Sequence, residues 1–206
     1  MLHQIDHLLY GTSNLEAGIQ YIHDLTGVKP ILGGSHPGLG THNALLGLGD
    51  SVYLEIIAPD LKQKVDHIWM NLDKLEKPRL FRWAAATNDT EQMKSLALDA
   101  GIDIGEIKSG SRYKPDGTLL EWTLSDPNVD TADGLIPFFI DWGLKGNPSP
   151  DLPQGCKLTR FEARHPRHTE IMKKLKCLQL DLPVVKADQA QLVAVIDTPN
   201  GDVILC

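Results

Sequence analysis

One order of elements occurs twice in this chain, and that repeat restricts the fold more than composition does. IDHLLYG at the start reads as an apolar strand. Ser13 or Asn14 can cap a helix whose Leu15, Ile19, Ile22 and Leu25 recur at helical spacing, and Gly27 fits its end. Short strands follow around Lys29–Gly33, Thr41–Leu48 and Ser51–Ile57, the last two joined by a Gly49-Asp50 turn. This is βαβββ, spanning residues 1–60. LFRWAAATNDTEQMKSLALDAG then repeats strand, capped helix and glycine, setting Thr12 against Thr87 and His7 against Arg82. SRYKPDGTLLEWTLSD parallels SHPGLGTHNALLGLGD, so His36 falls on Tyr113. IPFFIDWG parallels VYLEIIAP, so Glu55 falls on Asp141. The second unit covers 79–143.

Between the units, residues 60–78 form a charged connector in which Ile68, Leu72 and Leu75 share a face, consistent with a short helix. A Gly- and Pro-rich loop occupies 143–155. Residues 157–206 read as a partial βαββ unit whose last two strands flank an Asn200-Gly201 hairpin turn. The expected class is α+β: paired βαβββ modules forming a cupped, barrel-like mixed sheet, with the partial unit completing one compact domain.

The repeat matters for function because the first unit carries ionisable groups on apolar strands. His7 sits on its first strand and Glu55 on its fourth. Burying such groups is expensive unless they are paired, hydrogen-bonded or metal-bound. Asp6, next to His7, points to the opposite face by strand alternation and needs a partner there. The same alternation puts Asp141 on the cleft face, with Phe138, Ile140 and Trp142 on the buried one. The glycine-rich hairpin offers His36, Thr41 and Asn43 as donors and acceptors, with His42 turned away. Arg112 and Trp122 suggest an anion clamp and an aromatic wall. His165 and His168 read as a surface turn, and His3, His23 and His67 as ordinary surface or interface residues.

Paired βαβββ modules with these motifs, above all IDHLLYGTSNLEAG, HPGLGTHNALLGLGD, VYLEIIAPD, RYKPDGTLLEW and PFFIDWG, resemble the glyoxalase-like domain family of the vicinal oxygen chelate superfamily. The resemblance implies a small-molecule cleft between the modules and a metal held by first- and fourth-strand residues, here His7, Glu55, Arg82 and Asp141. Arg82 carries donors only and cannot be a ligand. What is left is either a three-ligand site on His7, Glu55 and Asp141 for Fe, Mn, Zn or Ni, or no metal, with Arg82 neutralising the acids or binding substrate. His7, Glu55 and Asp141 are thus the candidate catalytic groups. His36, Thr41, Asn43, Arg82, Arg112 and Trp122 are the candidate substrate contacts. The expected activity is that of a small-molecule enzyme on an oxygen-bearing, anionic substrate. The alternative is a metal-free sequestering protein on the same scaffold, and a third reading is an interaction module.

Composition narrows the rest. A net charge of −7 over 206 residues argues against nucleic acid or an anionic membrane as partner. No apolar run is long enough to span a bilayer and no secretory signal is visible. Three scattered cysteines suggest free thiols, which together point to the cytoplasm. Two modules in one chain can complete a cleft alone, yet leave room for a homodimer.

Overall fold

The computed structural model describes residues 5–114, 116–129 and 132–206, so His3 lies outside the described residues. The first unit consists of β1 (Ile5–Gly11), α1 (Leu15–Thr26), β2 (Ile31–His36), β3 (Thr41–Gly47) and β4 (Tyr53–Pro59). Asn14 is the cap of α1, accepting from Ala17 N at 2.8 Å. Gly27 ends the helix at φ 77°, a left-handed position glycine takes without strain. The second unit repeats the order with β5 (Arg79–Ala86), α2 (Thr90–Asp99), β6 (Lys108–Tyr113), β7 (Leu119–Leu124) and β8 (Phe138–Asp141). Asp89 caps α2 through Gln92 N.

All eight strands join one sheet in the order β2-β3-β4-β1-β5-β8-β7-β6. The two units meet along antiparallel β1 and β5, with Leu8 opposite Trp83 near the local two-fold axis. Within each unit the fourth strand runs parallel to the first. The outer strands β2 and β6 curl toward each other without forming a ladder. Arg112 on β6 crosses that seam and donates to the carbonyl oxygen of Gly33 on β2. The sheet is therefore a nearly closed barrel.

Strand alternation sorts the side chains into two cores. Outside the barrel, Leu8, Leu54, Ile56, Trp83 and Phe139 pack under the helices and against Leu158, Phe161 and Leu175 from the C-terminal unit. Inside, Leu9, Ile57, Ala84, Leu120, Trp122, Leu124, Phe138 and Ile140 fill one half of the barrel. Each large side chain so buried contributes about 1.5–3 kcal/mol before entropy is counted. The connector plugs one barrel end. Its 3₁₀ segment, Trp69–Lys74, buries Met70 and Leu72, and Trp69 N donates to Leu39 O at 3.0 Å.

The C-terminal unit forms its own sheet from β9 (Lys157–His165), α3 (His168–Cys177), β10 (Val184–Lys186), β11 (Gln191–Asp197) and β12 (Val203–Leu205). It has one strand more than the sequence pattern suggests. β10 has only three residues, too few to carry a periodicity. Its strand order, β10-β9-β11-β12, also differs from that of the two modules, so it is a covering sheet and not a third module. The 143–155 loop is not a passive linker: Asn147 donates to Asp6 and to Ser51 O, and Ser149 to Val52 O. Cys156 is buried and Cys177 and Cys206 are exposed, all as free thiols. Among the described residues no helix is long and apolar enough to cross a membrane.

Candidate active site

The half of the barrel not filled by apolar side chains belongs to the first unit. There His7, from β1, and Glu55, from β4, lie on neighbouring parallel strands and both point inward. The His7 Nε2 atom is 3.4 Å from Glu55 Oε2. His36, at the end of β2, brings its Nε2 to 3.8 Å from the other carboxylate oxygen. Asn43 on β3 donates to that same Oε1 at 2.7 Å. Thr41, fully buried, holds His36 Nδ1 at 2.8 Å. Tyr53 stacks on the His7 ring at 4.6 Å between centroids, and Phe138 meets it edge-on at 5.6 Å. All of these except Thr41, with Trp69, Arg112, Trp122 and Trp142, line a cavity of about 30 Å³. That is room for a water molecule or a substrate oxygen, not for a whole substrate.

Asp6 explains the state of His7. Its Oδ1 accepts from His7 Nδ1 at 2.7 Å, although the two are chain neighbours. Alternation would send them to opposite faces. However, β1 pairs with β5 through Ile5 opposite Ala85 and His7 opposite Ala84, which leaves Asp6 as the extra residue of a bulge. The bulge turns its carboxylate toward the ring, and Trp142 Nε1 and Asn147 Nδ2 donate to it. The expected partner on the helix side is thus replaced by His7, Trp142 and Asn147.

Burial disfavours charge on His7, but hydrogen bonds to Asp6 and Glu55 outweigh it and raise its pKa to about 9. Burial would raise Glu55, but the hydrogen bond and charge of His7, then His36 and Asn43, bring it down to about 2. For His36 burial dominates and lowers the pKa to about 4, with the attraction of Glu55 only partly opposing it. At neutral pH the site holds an imidazolium, a carboxylate and a neutral imidazole. Asn43 Nδ2, 3.4 Å from His36 Nε2, favours the tautomer with the proton on Nδ1, toward Thr41.

Of the candidate residues, His7, His36, Thr41, Asn43, Glu55, Arg112 and Trp122 converge here. Asp141 and Arg82 do not. On β8, Phe138 opposes Ala84, the counterpart of Leu9, which Glu55 opposes. The true counterpart of Glu55 is therefore Phe138, and the pairing with Asp141 is three residues out of register. Phe138 and Ile140 face the cavity, and Asp141 has the opposite parity. Its Oδ1 accepts from Gly143 N at 2.7 Å and caps a turn. Arg82 does occupy the position of His7, opposite Leu9, but its side chain lines a separate small pocket with Ser125, Asp126 and Phe138. Asp6, Tyr53, Trp69 and Trp142 also join the site; the sequence marks Asp6 as an acid needing a partner and Trp142 as a buried-face aromatic, and carries no signal for Tyr53 or Trp69. His165, read as a surface residue, is buried, with Nε2 2.9 Å from Asp133 Oδ2 and Nδ1 accepting from Arg167 N.

The implied metal can be tested against this donor set. The second unit supplies Arg82 and Phe138 at the two ligand positions, neither of which can bind a cation. In the first unit Glu55 stands between two rings, one oxygen toward each. Among the described residues no three His, Cys, Asp or Glu side chains are grouped so as to hold a metal ion. The residues do not fit the metal site that the resemblance implies.

Arg112 also lines a much larger space. Beyond it lies a groove of about 1050 Å³ bordered by Ile19, Ile31, Leu32, Leu45 and Leu152, with Lys29 and Lys114 among its polar residues.

A family model described as a glyoxalase-like domain matches residues 5–178. No curated protein matches the chain significantly. Among solved structures, a hypothetical protein from Staphylococcus aureus superposes with a TM-score of 0.63 at 16% identity, covering 97% of this chain and 83% of its own. A methylmalonyl-CoA epimerase from Mycobacterium tuberculosis gives 0.47 at 20% identity, over 69% of this chain and 89% of its own. A Streptomyces coelicolor methylmalonyl-CoA epimerase in complex with 2-nitronate-propionyl-CoA gives 0.46 at 16%, over 67% and 96%. At 16% identity the likeness to the Staphylococcus aureus protein is one of fold.

Proposed function

The chain belongs to the glyoxalase-like domain family, and from that premise we propose that it is an enzyme moving a proton on an oxygen-bearing, anionic small molecule. The observation that carries this reading is the buried His7–Glu55 pair, 3.4 Å apart and open to a cavity the size of one oxygen. His7 is the acid and Glu55 the base. A substrate carbonyl oxygen enters the cavity and accepts the Nε2 proton of His7. Glu55 takes the proton from the adjacent carbon, and the electron pair of that C–H bond becomes the C=C bond of an enol. In the resting site the imidazolium suppresses the basicity of Glu55. As His7 gives up its proton that suppression ends, so the two transfers assist one another. Arg112 adds positive charge near the developing oxyanion. Delivery of the proton from Glu55 to a neighbouring atom completes an isomerisation, and its return to the same carbon after exchange with water gives only isotope exchange. No step is assigned to a metal.

A panel of candidate substrates tests this reading. 2-Oxo acids and acyl thioesters are incubated with the protein in deuterium oxide, and loss of the α-proton signal is followed by NMR. Exchange on at least one member, abolished by Glu55→Gln and by His7→Asn, supports the reading. Exchange that is the same in Glu55→Gln sinks it.

One observation favours the metal-free sequestering alternative. The groove of about 1050 Å³ beside Arg112 can hold a ligand away from the His7–Glu55 pair, with no chemistry required. Tight retention of panel members with no exchange on any would select that reading.

A further inference from the structure

Two spaces of very different size meet at one buried cation. The inner cavity has about 30 Å³ and the outer groove about 1050 Å³, and Arg112 borders both. Sites that enclose a small organic ligand usually measure roughly 300–1,000 Å³. Only the groove is large enough for the body of a ligand. Only the cavity carries the buried ionisable groups.

Arg112 is 4% exposed. Among the described residues its hydrogen-bond acceptor is a backbone carbonyl, Gly33 O, and no carboxylate stands in ion-pair range. Glu55 attracts it across the inner cavity without touching it. A buried guanidinium with no acid in direct contact is costly, and its planar fork suits a carboxylate. The groove beyond it is of another character. Ile31 and Leu32 on the unpaired edge of β2 are 44% and 60% exposed, and they face Ile19, Leu45, Leu152, Pro30 and Pro148. The charged residues along the groove largely balance: Lys114 is tied to Asp151 at 2.7 Å, and Lys29, Glu16 and Asp116 also line it. They give no net preference for a charged tail.

We propose that the groove takes the aliphatic chain of an amphiphilic carboxylate whose anionic head lies on Arg112, so that the substrate class is a medium- or long-chain acyl acid. This deepens the proton-transfer reading and rests on it for the chemistry, but the binding claim stands on the groove and on Arg112. The contact to Gly33 O uses one terminal nitrogen of Arg112, which leaves the other N–H groups of the guanidinium for the head.

The test is calorimetric titration of the full chain with butanoate, hexanoate, octanoate and decanoate. Each methylene buried in the groove should tighten binding about fourfold. Leu32→Glu, on an exposed edge that folding does not depend on, should flatten that trend while leaving the thermal midpoint unchanged. Arg112→Gln should weaken the whole series by a common factor and keep the slope. Primary alcohols of equal length should bind at least tenfold more weakly than the acids. Affinity independent of chain length, alcohols that match the acids, or Leu32→Glu without effect would each overturn the proposal. So would a dimer that buries the β2 edge, seen as monomer release by Leu32→Glu with unchanged octanoate affinity. Proton exchange, measured on the wild type beside the titration series, separates the two claims. Retained chain-length dependence with no proton exchange in any variant leaves the groove and removes the enzyme. Exchange with a flat series does the reverse.

Discussion

Asp6 Oδ1 lies 2.7 Å from Nδ1 of His7, its own chain neighbour, because a bulge in β1 turns both side chains to one side. This contact sets the charge of the site. With Asp6 and Glu55 on its two nitrogens, His7 is an imidazolium at neutral pH. Asp6→Asn should therefore bring the His7 pKa down from about 9, as read from its ring proton shifts against pH. It should also slow proton exchange by roughly 10²–10⁴-fold, the usual share of general acid–base catalysis. A His7 titration unchanged in Asp6→Asn would show that Glu55 alone holds the proton.

Stability should peak near pH 6.5. Below that ordinary value the folded and unfolded His7 are both protonated, and its stabilisation is complete. As pH rises, the unfolded ring loses its proton first, and stability falls until pH passes about 9. The loss is on the order of 3 kcal/mol for a shift of this size. His36 acts in the other direction. Its folded pKa is about 4, so the unfolded chain binds the extra proton below 6.5 and stability falls with falling pH. Glu55, lowered to about 2, extends that acid loss from 4.5 downward. Urea unfolding across this range checks the shape. His7→Asn should remove the alkaline decline, and a decline that persists would assign it to another group.

Glu55→Ala should cost about 3–5 kcal/mol in unfolding free energy. It leaves the His7 charge and the Asn43 amide buried without their shared acceptor. Glu55→Gln keeps an acceptor oxygen and should cost less. Equal midpoints for wild type and Glu55→Ala would mean that the cluster is solvated and not sealed.

Asp141→Ala should be mild. Its carboxylate caps Gly143 N outside the cavity, a bond worth about 0.5–1.5 kcal/mol, and proton exchange should stay within a factor of two of wild type. A hundredfold loss of exchange would return Asp141 to the site.

Dialysis against a chelator should leave the thermal midpoint and the exchange rate unchanged, because Arg82 and Phe138 stand where the second unit would supply ligands. Stoichiometric metal by elemental analysis, with a lower midpoint on its removal, would contradict this.

Much of the fold was legible in the sequence for local reasons. Asn14 and Asp89 before apolar periodicity, Gly27 after it, and Gly49-Asp50 between strands each act within a few residues, and their order repeats. His7 and Glu55 were legible as candidate-site residues because each is an ionisable group inside an apolar strand. The Asp141 assignment failed because sequence alternation fixes parity only relative to a chosen residue. One wrong origin on β8 exchanges the faces of Phe138 and Asp141. The Asp6–His7 contact escaped because a bulge is a property of two paired strands, and the pairing partner, Ala84–Ala85, is remote in sequence.

By itself the sequence determined two βαβββ units, their caps and turns, and the few buried ionisable side chains, since all of these follow from spacing along one chain. Only the tertiary structure decided that the outer strands curl until Arg112 meets Gly33, that one half of the barrel is packed shut, and that His7 carries a charge. Each of those depends on strand register, closure and burial, which are set by contacts between distant segments and not by neighbours in sequence.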